Sequence, residues 1–188
     1  MKGILLMGLP ACGKGTQSKK LEEQGYTYIG MGVLLREHKE KGTEIGKLVT
    51  KLDAEGKLTP DAIVIKILND KIEELKASSK GFVFDGVVRT LAQAEVFKKT
   101  CELQGIELIP VVISVSEQEA TKRSVARGLD SGRIEDSDSS IIAHRIGIYT
   151  SNSTAIEKYF LESGVGCAVL KGDAPVDEIT KDILALVE

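Results

Sequence analysis

The chain has 188 residues, a formal net charge of −3, 42% hydrophobic residues and 4% aromatic residues. That length accommodates one domain with a full core, and with a slightly acidic balance nothing points to broad nucleic-acid or membrane binding. There is no Trp to stack single-stranded bases, no apolar run long enough to span a membrane, and no signal peptide is expected from the short opening run.

In chain order, short apolar runs that read as buried strands occur at Ile4–Met7, Tyr26–Ile29, Phe82–Phe84, Ile109–Val115 and Gly166–Leu170. Segments with helical spacing lie between them. The first follows the turn after Met7 and covers Thr16 to Gln24. Thr59 before Pro60 predicts a capped helix with proline at its first position, and Ile63, Ile67, Leu68, Ile72 and Leu75 form its apolar stripe. Ser116-Glu117-Gln118-Glu119 has the form of a capping box, and Pro175 opens a last helix carrying Ile179, Ile183 and Leu186. The polar, turn-rich segment Gly128–Ser140 reads as an exposed loop of the length that often serves as a lid. Strands alternating with helices predict an α/β protein whose parallel sheet is covered on both faces.

Residues 8–17, GLPACGKGTQ, follow the first strand and lead into the first helix. Gly8, then Gly13-Lys14 after four residues, is P-loop spacing, although Gly15 delays the hydroxyl to Thr16 and Ala11 stands where another glycine could serve. In such a loop successive backbone N–H groups point at an anion at the helix N-terminus, here from Ala11, Cys12, Gly13, Lys14, Gly15 and Thr16. Lys14 supplies a mobile point charge for the outer phosphates, and Thr16 offers a hydroxyl to phosphate or to a magnesium-bound water. Taken alone, the stretch could also be a plain glycine-rich strand–helix turn.

Asp85 ends the run Gly81–Phe84, which places a carboxylate at the carboxyl end of a buried strand, the same sheet edge as the loop. It suits water held on magnesium, though a turn or cap aspartate looks the same in sequence. The chain has nineteen lysines and six arginines, namely Arg36, Arg89, Arg123, Arg127, Arg133 and Arg145. A chain that uses lysine for general surface charge has kept the better phosphate fork for few positions. Arg123 and Arg127, four apart, share a helix face. The three cysteines, Cys12, Cys101 and Cys167, form no CxxC pair, so no zinc site or disulfide framework is expected and a reducing cytoplasm is the simplest compartment. Cys12, at a helix start beside Lys14, is either a reactive thiol or a small filler of the loop.

At these residues the chain resembles the adenylate kinase family of nucleoside monophosphate kinases, over essentially its whole length. The Gly13-Lys14-Gly15-Thr16 quartet, the run Asp85-Gly86-Val87-Val88-Arg89 with Gln93 four residues later, and Ser131-Gly132-Arg133-Ile134-Glu135-Asp136 each match a family signature in order. The resemblance implies a three-layer P-loop fold with a five-stranded parallel sheet. It adds a small helical AMP-binding insert over 30–59 and a short, metal-free lid over 128–138 within a single domain of residues 1–188. It implies reversible transfer of the ATP γ-phosphoryl to AMP, giving two ADP with magnesium and no zinc, by a cytoplasmic monomer. By the same resemblance Lys14 and the loop hold ATP, Arg123 and the backbone at Gly172 meet its base, and Arg127, Arg133 and Arg145 close on the transferring group. Arg36 and Arg89 clamp the AMP phosphate, with Arg133 and Arg145 also reaching AMP. Gln93 reads its adenine, and Met31, Lys57, Leu58, Thr59, Gly86, Val87 and Val88 line its pocket. Asp85 holds the metal through water.

The departures from the family pattern set further expectations. Ala11 replaces a cradle glycine, which costs about 1–2 kcal/mol if its φ is positive. Met31 removes a polar contact to the acceptor base, and Val33 removes a carboxylate that helps order magnesium-bound water. Val87-Val88 replaces an aromatic–proline pair, so a trans peptide and a shifted Arg89 are expected. These changes suggest slowed transfer or a weakened hold on AMP. Two alternatives remain at this point: a kinase for another nucleoside monophosphate, and a nucleotide-binding protein of the same fold that has lost transfer.

Overall fold

The computed structural model describes residues 1–54, 59–131 and 138–188. It contains a five-stranded, all-parallel sheet in the order β2-β3-β1-β4-β5, formed by β1 (Lys2–Met7), β2 (Thr27–Gly30), β3 (Gly81–Asp85), β4 (Glu107–Ser114) and β5 (Ala168–Lys171). The helices are α1 (Lys14–Glu23), α2 (Met31–Glu40), α3 (Glu44–Ala54), α4 (Asp61–Leu75), α5 (Leu91–Leu103), α6 (Glu117–Ser131), α7 (Ser139–Glu162) and α8 (Val176–Ala185). Among the described residues no helix is long and apolar enough to cross a membrane.

The near-continuous apolar strands are explained by burial on both faces. Successive strand side chains point to opposite sides. Leu5 and Met7 of β1 enter one core with residues of α2, α4, α5 and the end of α7. Ile4 and Leu6 enter the other, with α1, α6, α8 and the start of α7. Phe84, fully buried, packs edge-on against Phe97 at 5.0 Å between ring centroids and lies 5.6 Å from Phe82. Such rings are the largest single contributions to a core of this kind.

Local details depart from expectation where long-range contacts decide. β4 begins two residues early, because Glu107 pairs with Lys2 of β1 at 2.7 Å and its N–H bonds the carbonyl of Met1. Pro60, not Thr59, occupies the cap position of α4, no side chain caps that end, and Val64 joins the buried stripe. Half of the capping box at α6 forms: Ser116 Oγ accepts from the N–H of Glu119, while the Glu119 carboxylate turns to Arg123 instead. The expected loop over Gly128–Ser140 is shorter than read, since α6 continues to Ser131 and α7 begins at Ser139, capped by Asp138 accepting from the Ser140 N–H. Among the described residues no peptide bond is cis, so the Val87–Val88 bond is trans as expected.

Chain order fixes where a ligand can sit. β1 connects toward β2 on one side and β4 toward β5 on the other, so the connections diverge between neighbours β1 and β4. A crevice at the carboxyl ends of strands opens where such connections part.

Candidate active site

The loop leaving β1 lies at that crevice. Its backbone is left-handed at Gly8 (φ 140°), Ala11 (φ 58°) and Gly13 (φ 114°), and Ala11 is the non-glycine residue with positive φ among the described residues. Gly8 is required by close approach: a Cβ there would stand 2.5 Å from the Ile113 carbonyl oxygen and 2.6 Å from Cys12 Sγ. Gly13 caps α1 without a side-chain hydrogen bond, and the first turn carries no acidic residue. Helix starts usually satisfy their orphan N–H groups with such side chains, so this one is left open for an anion.

Lys14 folds across the loop. Its ammonium donates to the carbonyls of Gly8 at 2.8 Å and Leu9 at 2.9 Å, and contacts Cys12 Sγ at 3.5 Å. An ammonium has three donors, and sulfur is a weak acceptor. The third position is therefore the one most readily traded for a phosphate oxygen. Cys12 is 1% exposed and packs in the second core, which favours the filler over the reactive thiol.

Beside the loop a groove of about 190 Å³ is lined by Cys12, Gly13, Thr16, Arg123, Gly172 and Val176, among others. Arg123 spans it, donating from Nε to Glu119 at 2.7 Å and from Nη1 to the Gly172 carbonyl at 3.0 Å. A Cβ on Gly172 would come within 2.6 Å of Val115 and 2.7 Å of Ile113, so only glycine lets this turn close over the sheet. Arg123 and Gly172 thus line one groove beside the loop that carries Lys14.

The other half of the site is built by β3 and the turn beyond its last residue. Asp85 pairs in register with Leu6 on β1 and with Gly30 on β2, which sets its carboxylate near the loop. Gly86 turns the chain at φ 69°. Arg89 is solvent-accessible yet set among protein groups; burial lowers its pKa first, the nearby Arg145 lowers it further, and Asp85 and Asp53 oppose the change. Two guanidiniums close enough to repel each other are stabilised by an anion shared between them. Arg36 is exposed and Arg127 half-buried. Arg133, Lys57 and Leu58 lie outside the described residues, and Thr59 is half-buried beside them.

Met31, Val87, Val88 and Gln93 sit differently from a simple lining role. Met31 and Val87 are 3% and 1% exposed and belong to the first core, with Val88 packed against it and Val33 half-buried. Gln93, 3% exposed, is held at both ends: its Oε1 accepts the Arg89 N–H at 2.7 Å and its Nε2 donates to Asp61 Oδ1 at 2.7 Å. Asp61 was missed in sequence because it lies 32 residues from its partner, with no motif joining them.

Among the described residues no three His, Cys, Asp or Glu side chains gather to ligate a metal directly. The Asp85 carboxylate and the Thr16 hydroxyl are hard oxygen donors at the phosphate cradle, the chemistry that suits magnesium arriving with a nucleotide and keeping part of its water shell.

A model of the adenylate kinase family matches residues 6–165. The chain is similar to an adenylate kinase of Phocaeicola vulgatus, 36% identical over 190 residues that cover 100% of this chain and 99% of the relative. It is 35% identical to one of Maricaulis maris over 98% of each chain, and 33% identical to one of Parvibaculum lavamentivorans over 96% of this chain and 89% of the relative. The uncapped glycine-rich cradle, the carboxylate on the neighbouring strand and these full-length matches agree: the chain belongs to the adenylate kinase family.

Proposed function

We propose that the protein catalyses reversible phosphoryl transfer from magnesium–ATP to AMP, giving two ADP. The observation that carries this reading is an open helix N-terminus holding Lys14, with Asp85 at the end of the adjacent strand β3 and Arg89 in the turn beyond it. The attacking group is itself a phosphate oxygen, so little general-base help is needed, and the protein contributes positioning and charge neutralisation.

Backbone N–H groups of the loop over residues 11–16 hold the ATP phosphates, those of Cys12 and Thr16 being already engaged with the Leu9 and Gly13 carbonyls at 3.2 and 3.0 Å, and Lys14 exchanges its sulfur contact for the outer phosphate oxygens. Arg123 and the Gly172 backbone flank the ATP base. Arg36 and Arg89 hold the AMP phosphate, and Arg127, Arg133 and Arg145 gather on the transferring group. Asp85, through water, and the Thr16 hydroxyl would hold the magnesium that arrives with ATP, which would supply charge neutralisation at the phosphate oxygens. Residues 30–59 serve as the acceptor insert within the single domain, and 128–138 as a short lid whose closure excludes water. The same family resemblance supports action as a cytoplasmic monomer.

Base selectivity is where a second reading enters. Gln93 is tied to Arg89 and Asp61, and Met31 is turned into the core, which leaves room for transfer to another nucleoside monophosphate. A coupled assay of ADP formation from ATP, magnesium and AMP, with CMP, UMP and GMP in parallel and Lys14→Met as the blank, tests both. Turnover confined to AMP supports the proposal. Preference for another monophosphate establishes the second reading, and ATP binding without turnover on any acceptor refutes transfer.

A further inference from the structure

Tyr28 lies two residues before the end of β2, and residues i and i+2 of a strand share a face. The residue two places on is Gly30, which pairs with Asp85 in register. Gly30 has no side chain, and the Tyr28 ring occupies the space: a Cβ on Gly30 would stand 2.1 Å from the Tyr28 hydroxyl and 2.5 Å from its Cζ. Gly30 is extended, at φ −102° and ψ 116°, so its backbone does not require glycine; the phenol does. Passing over the gap, the hydroxyl reaches the carboxyl edge of the sheet and donates to Asp85 Oδ2 at 3.5 Å.

We propose that Tyr28 is a positioning residue for phosphoryl transfer: its hydroxyl, delivered over Gly30, orients the Asp85 carboxylate toward the phosphate cradle. This rests on the reading of Asp85 given above. The half-buried ring holds the hydroxyl in place without a flexible tail. Glycine at position 30 is then part of the site without touching a substrate, because it clears the path for the phenol.

The test is a cycle of Tyr28→Phe, Gly30→Ala and the double variant, with Asp85→Asn as reference. Each is measured for kcat, for KM of AMP and of ATP, for the magnesium concentration giving half-maximal rate, and for ATP affinity by calorimetry with and without magnesium. Tyr28→Phe keeps the ring and removes one hydrogen bond to a carboxylate, so the magnesium requirement rises roughly 3- to 10-fold. The gain in ATP affinity on adding magnesium shrinks by a similar factor, and ATP affinity without magnesium holds. Gly30→Ala displaces the phenol and gives the same pattern, and the double variant is no worse than the poorer single one, since both act on one contact. A purely structural role would lower the melting temperature and leave the magnesium requirement and affinity ratio unmoved. If Tyr28→Phe is unchanged in both while Asp85→Asn is impaired, the proposal is overturned and the reading of Asp85 stands. If Asp85→Asn is also unchanged, the reading of Asp85 fails and takes the proposal with it.

Discussion

Replacing Ala11 by glycine should stabilise this protein, against the usual effect of an alanine-to-glycine change. Ala11 sits at φ 58° inside the phosphate loop. A left-handed conformation costs a residue with a Cβ about 1–2 kcal/mol. Glycine removes that strain but gives the unfolded chain more freedom, which offsets about 0.5–1 kcal/mol. The net gain runs from near zero to about 1.5 kcal/mol, and for a chain of this size each kcal/mol moves the melting temperature by about 2–4 °C. Calorimetric melting and urea unfolding of Ala11→Gly measure it, with Ala126→Gly on the exposed face of α6 as a control expected to lose about 1 kcal/mol. If both variants lose stability equally, Ala11 is not held left-handed and the reasoning about the loop is wrong.

The same geometry sets other outcomes. Asp61→Ala strands the Gln93 amide in a buried site, which costs about 1–3 kcal/mol, and should raise KM for AMP more than KM for ATP; equal changes in both would show that the Asp61–Gln93–Arg89 chain does not serve the acceptor side. Burial raises the Glu157 carboxyl pKa, so its neutral form is favoured in the fold, and its contribution to stability is present below the ordinary carboxylate range and lost as pH rises through the elevated value. Glu157→Gln should therefore melt higher than the parent at pH 7.5 and match it near pH 4, and the opposite pH trend would contradict this. Iodoacetamide should label Cys167 first and slowly, because it is half-buried with a thiol pushed up to about 11. Cys101, fully buried and pushed up to about 12, and Cys12, 1% exposed, should resist, and early labelling of Cys12 would reinstate a reactive thiol in the loop.

The donor half of the proposed site can be read from the sequence because its chemistry is local. Gly8, Gly13, Lys14 and Thr16 lie within nine residues, and the strand before and the helix after them are what make the N–H groups converge. Asp85 was legible as the last residue of an apolar run, since strand ends in a parallel sheet share an edge. Strand limits slipped by one or two residues where pairing rather than hydrophobicity decides, as at Glu107. The extent of α6 past Gly128 was hidden because a polar, glycine-containing stretch reads as loop until its helix context is known. Tyr28 and Asp61 were invisible because their partners lie 57 and 32 residues away.

The acceptor half departs most from the family pattern, and the structure shows what the departures exchange. Met31, Val87 and Val88 join the apolar core beneath the site, so these side chains favour the fold rather than the ligand, at roughly 1.5–3 kcal/mol for each one fully enclosed. Polar work shifts to groups anchored elsewhere: Gln93 is oriented from α4 by Asp61, and Asp85 from β2 by Tyr28. A site organised this way draws its shape from the packed sheet and α4 more than from the loop beside the ligand. Substitutions in the core beneath it, such as Met31→Ala, should therefore disturb acceptor binding together with stability. Substitutions at the cradle lysine should abolish transfer and leave stability nearly intact, since Lys14 holds only loop carbonyls and a sulfur. Parallel loss of stability and activity at Lys14 would mean that the cradle, too, is part of the scaffold.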